Sequence, residues 1–389
     1  MPTLTNSIQT HRSPKSPAVR PRADVAPLRC VAIGGGTGLP VVLRGLRKAL
    51  GLDAASVAEG QATDVLTAIV TVTDDGGSSG RLRHQLGILP PGDVRNCLAA
   101  LAPDGSPFAE LLQHRFAAGN DLAGHPVGNL LLVALTEMAG EFQTAVERLG
   151  ALMRLQGCVL PSTAENVTLH AEFQSGEIIR GETAIATRGA RIKKLSLERP
   201  VRPLPEAVRA LVNADAIIVG PGSLYTSILP NLLVGGIAST MAGVTAVRIY
   251  VANLMTEPGE TEGYSLQDHL TAIRAHVGFD LFDYVLINRR PVSPSVAARY
   301  ARRGSSPIQR CQEGSLGRQT RVIERDLAWE VKEGKLRHSP AELASAILEL
   351  TRAGRPAAIP DATGDPIGVR LQADQGRLKP AATGFAIGS

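Results

Sequence analysis

The stretch CVAIGGGTGLPVVLRGLR, residues 30–47, decides the architecture. Cys30 to Ile33 form an apolar run that enters Gly34-Gly35-Gly36-Thr37-Gly38, and Leu39, Val42, Leu43, Leu46 and Leu50 then recur at helical spacing. A continuous apolar run reads as a strand covered on both faces, and the recurrence near 3.6 residues reads as a helix over Leu39–Leu50. Strand, glycine turn and helix together are the opening unit of a parallel α/β sheet. Glycines at that junction let backbone N–H groups approach an anion, and the helix N-terminus adds a favourable dipole. Gly35, Gly36, Thr37 and Gly38 are therefore candidate ligands of a pyrophosphate. The run is not the full dinucleotide fingerprint, because G-x-G-x-x-G counted from Gly34 needs glycine where Leu39 stands, and there is no Walker lysine.

The same rhythm recurs along the chain. Val65–Thr73 is rich in β-branched residues, and Ala216–Val219, Val247–Val251 and Tyr284–Ile287 read as further strands near helical segments. The expected fold is a three-layer α/β/α Rossmann-like parallel sheet in one α/β domain over residues 28–351. Residues 167–197 break the rhythm: Val167, Leu169, Ala171 and Phe173 alternate with polar residues and lead to a turn at Gln174-Ser175-Gly176. This predicts a small inserted β-hairpin excursion. Residues 1–27 and 352–389 lack periodic apolar positions and are expected to be disordered tails.

Composition excludes several classes. With 389 residues, 44% hydrophobic and 20% charged, the chain is globular rather than wholly disordered. Aromatic residues at 3% are too few for stacking along single-stranded nucleic acid. The net charge of +5 resides in the two tails, which leaves the region between them neutral, so no nucleic-acid partner is expected. Cys30, Cys97, Cys158 and Cys311 are widely spaced, as reduced thiols are. There is no apolar signal region and no membrane span of 18 apolar residues, and a cytoplasmic location is expected.

Five further loops carry candidate chemistry. In TDDGGSSGRLR, residues 73–83, Asp74 and Asp75 offer carboxylates to a hard cation or a sugar hydroxyl. Gly76, Gly77, Ser78 and Ser79 offer a backbone nest there, and Arg81 a phosphate fork. In PPGDVRN, residues 90–96, Asp93 either caps a helix over Val94–Leu101 or serves the site with Arg95 and Asn96. Asn129 in GHPVGNL, residues 124–130, reads a base or sugar or caps its helix. Gly222, Ser223 and Leu224 in GPGSLYTS, residues 220–227, form either a second anion cradle or a plain capped turn; the nucleophile elbow is excluded because Pro221 and Tyr225 replace its glycines. Asn253 and Thr256 stand in NLMTEPGET, residues 253–261, beyond another strand end.

Taken together, GGGTGLPVVLRGLR, TAIVTVTDDGGSSGRLR, PPGDVRNCLAAL, GHPVGNLLL and GPGSLYTSILPNLLV closely resemble the YvcK family of gluconeogenesis factors, relatives of the CofD 2-phospho-L-lactate transferases. The resemblance runs from Leu28 to the segment Leu336–His338. It implies a UDP-sugar ligand such as UDP-N-acetylglucosamine (UDP-GlcNAc). It also implies a cytoplasmic role in cell shape and envelope synthesis during gluconeogenic growth. A homodimer and an envelope-synthesis protein partner are expected. Transferase relatives hold a metal on carboxylates matching Asp74 and Asp75, and a further Asp matches Ser223. The missing carboxylate points to a nucleotide-sugar sensor rather than an enzyme, with a metal-dependent transferase using Mg²⁺ on Asp74 or Asp75 as the alternative. No catalytic residue is assigned.

Overall fold

The computed structural model describes residues 27–52, 65–310, 320–331 and 335–356. Strands β1 (Cys30–Gly34), β2 (Leu66–Val70), β3 (Cys158–Pro161), β7 (Ala216–Val219), β8 (Val247–Val251), β9 (Tyr284–Asn288) and β10 (Arg321–Arg325) form one seven-stranded sheet in the order β10-β9-β8-β7-β1-β2-β3. Every pairing in it is parallel. Successive side chains of a strand leave on opposite faces. Cys30 and Ala32 of β1 accordingly join one core and Val31 and Ile33 the other.

The first core is covered by helices Leu39–Ala49, Gly92–Leu101, Val127–Ala139, Phe142–Met153 and Pro340–Ala353. The second is covered by helices Pro205–Val212, Ile237–Gly243 and Leu266–Val277, with a π-helical turn at Leu224–Ile228 running into Leu229–Leu232. This is the expected three-layer arrangement. The residue 167–197 excursion is a three-stranded antiparallel sheet, with β4 (Leu169–Phe173) between β5 (Ile178–Arg180) and β6 (Ile192–Leu197). It contains a helix that alternation alone did not suggest, Glu182–Arg188. A two-stranded antiparallel pair, β11 (Ala328–Val331) and β12 (Lys335–His338), closes the set.

Helix Leu39–Ala49 shows how sequence sets packing. Pro40 sits in the first turn, where no N–H is missed, and Leu39, Val42, Leu43 and Leu46 are fully buried. The helix Pro340–Ala353 lies across it at Gly45, where an added Cβ would stand 2.1 Å from the Pro340 carbonyl oxygen. That second helix runs two residues past the expected boundary at 351, and Arg355 beyond it pairs with Asp283 at 3.1 Å. The tails at 1–26 and 357–389, and Cys311, lie outside the described residues. Cys30 and Cys97 are buried free thiols, and no single described helix is long and apolar enough to cross a membrane.

Gly45→Ala tests the helix contact. Helix propensity alone would favour alanine by about 1 kcal/mol, whereas overpacking costs typically 1–3 kcal/mol. The clash with a backbone oxygen puts the cost at the upper end, so the variant should lose about 1–2 kcal/mol in urea unfolding. A gain in stability would mean that the two helices do not meet at Gly45.

Candidate functional site

The chain leaves β1 toward β2 and β3 on one side and returns to β7 on the other, so the strand order reverses between β1 and β7. In open α/β sheets the ligand crevice lies beyond the strand carboxyl ends at such a switch point. Here the two loops touch through backbone: a Cβ on Gly38 would lie 2.1 Å from the Pro221 carbonyl oxygen. Gly36 has φ +62°, a left-handed conformation that suits glycine. Among the described residues the Thr37 and Gly38 amides have no intramolecular acceptor. Gly222 donates its N–H to Asn253 Oδ1 at 2.9 Å and accepts from Asn253 Nδ2 at 2.9 Å, which ties the loop after β7 to the loop after β8. A cavity of about 380 Å³ opens over these groups, with Thr37, Gly38, Gly222, Asn253 and Glu257 on one wall and Tyr300, Arg303, Arg337 and His338 on the other.

The arginines of that wall are unspent. Among the described residues Arg303 and Arg337 form no ion pair, and both are exposed. Arg44 stands near Arg337; burial first, then Arg337 and Arg47, hold its guanidinium below the ordinary arginine value. A larger open groove of about 1040 Å³ lies on the other side of Asp75, between Arg83, His84, Thr168 and Thr183. Its arginines are consumed: Arg83 donates to the carbonyls of Thr73 (3.1 Å) and Val167 (2.7 Å), and Arg188 pairs with Glu177 at 2.9 Å. The guanidiniums without an intramolecular partner among the described residues therefore belong to the smaller cavity.

Carboxylates gather between the two cavities. Asp93 does not cap its helix, whose N-cap is Pro91; its Oδ2 instead accepts the Gly36 N–H at 2.7 Å. A Cβ on Gly35 would fall 2.7 Å from the same oxygen. Asp74 Oδ1 accepts the Gly76 N–H at 2.8 Å. Asp75 turns away and receives the Thr183 N–H (2.8 Å) and hydroxyl (2.7 Å), fastening the helix Glu182–Arg188 to the loop after β2. Ser223 donates to Glu260, which also accepts from the Tyr225 N–H, and Ser223 Oγ accepts the Thr226 N–H at 3.1 Å. Glu260 thus brings a carboxylate to Ser223 from another loop.

Burial and crowding raise Asp93, Glu182, Glu257 and Glu260. Burial, then neighbouring Asp74, pushes Asp93 up to about 6 against the opposing Gly36 bond. Burial lifts Glu182 well above the usual range, with Asp74, Asp93, Glu260 and Asp75 adding to it. Glu257 is pushed up to about 8 by burial and by Glu260. Among the described residues no three acidic, histidine or cysteine side chains converge as a metal-ligand set. Asp74 and Asp93 fit the looser need of Mg²⁺, which takes one or two carboxylates and completes its shell with phosphate and water. Asp75 is already engaged by Thr183.

The remaining sequence candidates underlie the crevice or lie beside it. Gly77 starts helix Gly77–Leu86, capped at Gly76. Ser78 Oγ lies 2.7 Å from His125 Nδ1 and accepts from Asn129 Nδ2 at 2.9 Å, while Arg95 donates to Asn129 (2.7 Å) and Asn96 (2.8 Å). Burial, then Arg115, lowers Arg95 to about 10. This network supports the loops from below. Ser79 Oγ accepts the Gly92 N–H at 3.2 Å. Arg81 faces the Ala123 carbonyl at 2.8 Å, and Thr256 clasps Ser306 through its N–H (2.7 Å) and hydroxyl (2.9 Å). Leu224 is fully buried, so only its backbone is available to the crevice. Glu182, Glu260, Arg303 and Arg337 were not candidates. Glu257 and Glu260 had a signal, being three apart in a loop beyond a strand end; Arg303 and Arg337 had none nearby.

Residues 30–328 match the family described as "2-phospho-L-lactate transferase CofD". The chain is 43% identical over 321 residues to a protein of Bacillus subtilis named "Gluconeogenesis factor", covering 82% of this chain and 96% of that one. A protein of the same name from Halalkalibacterium halodurans is 42% identical over 320 residues, covering 82% and 95%. A crystal structure of a Bacillus halodurans protein superposes with TM-score 0.77 at 41% identity, covering 83% of this chain and all of that one.

The raised acids give a testable pH dependence. A carboxyl whose folded pKa lies above its unfolded value binds its proton more tightly in the native state, so stability is lost as pH rises through the interval between them. For Glu257 that interval runs from about 4.3 to about 8. The melting temperature should therefore rise on acidification from pH 8.5 to 6, and Glu257→Gln should flatten the slope. An unchanged slope in the variant would remove Glu257 from the cluster.

Proposed function

The chain belongs to the CofD family, and from that premise we propose that it is a gluconeogenesis factor that binds a UDP-sugar of the UDP-N-acetylglucosamine type in the crevice between β1, β7 and β8. The observation that carries this reading is the set of unpaired arginines, Arg303 and Arg337 with Arg44 nearby, facing the free amides of Thr37 and Gly38. Like charges gathered without counter-ions favour a polyanion, and a diphosphate lets each guanidinium make charge-assisted bonds. The sugar hydroxyls then meet Asp74, Asp93 and Glu260, which accept hydrogen bonds and carry no other strong cation partner among the described residues.

The protein acts as a sensor in this reading. Ser223 donates its hydroxyl proton to Glu260 and accepts from Thr226, and in this reading the trio fastens the turn after β7. Occupancy by the nucleotide-sugar sets contacts with an envelope-synthesis partner, in the cytoplasm and as a homodimer, and supports cell shape during gluconeogenic growth. A second reading, Mg²⁺-dependent group transfer, draws support from the proximity of Asp74 and Asp93 and from the family's transferase description. There the cation would offset diphosphate charge.

Calorimetry with UDP-GlcNAc separates them. Binding should persist in EDTA, and Arg337→Ala should cost about 1.5–3 kcal/mol, roughly ten- to a hundredfold in affinity. Absence of binding by the wild type would overturn the ligand assignment. Sustained UDP release that stops on chelation or with Asp74→Asn would replace the sensor with the transferase.

A further inference from the structure

The chain has a single tryptophan, and more than half of it faces outward: Trp329 is 55% exposed on β11. Among the described residues no aromatic ring or cation lies against its indole. Its position is nevertheless fixed. In the antiparallel pair β11–β12 the register sets Trp329 opposite Arg337 and Ala328 opposite His338. Directly opposed residues project on one face with Cβ atoms about 4.5–5.5 Å apart. Ala328 and His338 take the buried face, which leaves Trp329 and Arg337 together on the other.

Arg337 lines the crevice, and Trp329 is its cross-strand neighbour. Both strands are anchored there. Asn288 Oδ1, at the end of β9, accepts the N–H groups of Leu327 (3.1 Å) and Ala328 (3.0 Å), and Leu336 donates its N–H to the Tyr300 hydroxyl at 3.1 Å. Tyr300 itself lines the crevice. A large, half-exposed ring opposite a residue of the crevice wall, with no other ring or cation against it among the described residues, has a π-face available to a ligand.

We propose that Trp329 is the stacking wall for the ligand's nucleobase. The inference rests on the nucleotide-sugar reading above. The diphosphate is claimed by amides and guanidiniums and the sugar by carboxylates, so the base is the part of the ligand left to meet an aromatic face. Stacking of this kind tolerates different bases, because every base has a π-face, and truncation of the aromatic typically weakens binding severalfold to a hundredfold. Trp329 is then a positioning residue for the nucleoside half and is indifferent to the phosphates.

One tryptophan makes the test direct. The full chain is titrated with UDP, with N-acetylglucosamine 1-phosphate and with inorganic pyrophosphate, reading intrinsic fluorescence alongside calorimetry. UDP should change the emission with the dissociation constant that calorimetry gives, and pyrophosphate and the sugar phosphate should leave it unaltered. Trp329→Ala should weaken UDP about tenfold, Trp329→Phe should restore most of that, and pyrophosphate affinity should stay the same in both. UDP binding seen by calorimetry without any emission change would overturn the proposal, as would a UDP affinity unaffected by Trp329→Ala. An emission change on sugar phosphate alone would overturn it too, by moving the sugar to the indole. If the alanine variant does not fold, the wild-type titrations decide. A wild type that binds no UDP at all is a different result: it overturns the nucleotide-sugar reading, and the stacking falls with it.

Discussion

The backbone contact between Gly38 and Pro221 is the constraint on which the site depends. It brings the turn after β1 against the turn after β7 with no room for even a methyl group, the added carbon standing 2.1 Å from a carbonyl oxygen. The two loops belong to strands that neighbour each other in the sheet but lie far apart in the chain. Their contact is what converts two ordinary strand-to-helix turns into one crevice. Asn253 then ties the third loop to the second through both of its amide groups, so the floor of the crevice is held by backbone and by a buried side chain.

Around that floor charges gather in two groups. Arg303 and Arg337 line the cavity together with Glu257, with Arg44 near Arg337, while Asp74, Asp75, Asp93, Glu182 and Glu260 stand within electrostatic reach of one another. Like charges gathered in each group repel, and burial adds to this among the carboxylates. Two of the protein's own carboxylates meanwhile occupy donors suited to an anion: Asp93 on the Gly36 amide and Glu260 on the Ser223, Tyr225 and Thr226 cluster. A ligand with diphosphate at one end and hydroxyls at the other relieves the first group and hydrogen-bonds the second. That arrangement supports the nucleotide-sugar reading proposed above.

Much of this was legible in the sequence, and the limit is physical. The runs at β1, β7 and β8 are continuous apolar segments because both faces of a parallel sheet are covered, so their bounds follow from composition. The glycine loops are legible for the same reason, since close backbone approach excludes side chains. What local patterns do not carry is which of several acids in a loop faces the ligand. Asp74 and Asp75 are adjacent, yet one bonds its own loop and the other is taken by Thr183 more than a hundred residues on. Asp93 looks like a cap and is instead a bridge to Gly36. Glu182, Arg303 and Arg337 reach the site only through tertiary folding, and nothing around them in the chain marks them.

The central claim is that the seat for the diphosphate is the contact between the β1 and β7 turns. A crystal structure of the protein grown with UDP tests it most directly. The account predicts phosphate oxygens within hydrogen-bond distance of the Thr37 and Gly38 amides, with Arg337 or Arg303 on the same phosphates. Density for the nucleotide in the larger groove beside Arg83 and His84, with the β1–β7 crevice holding only water, would contradict it.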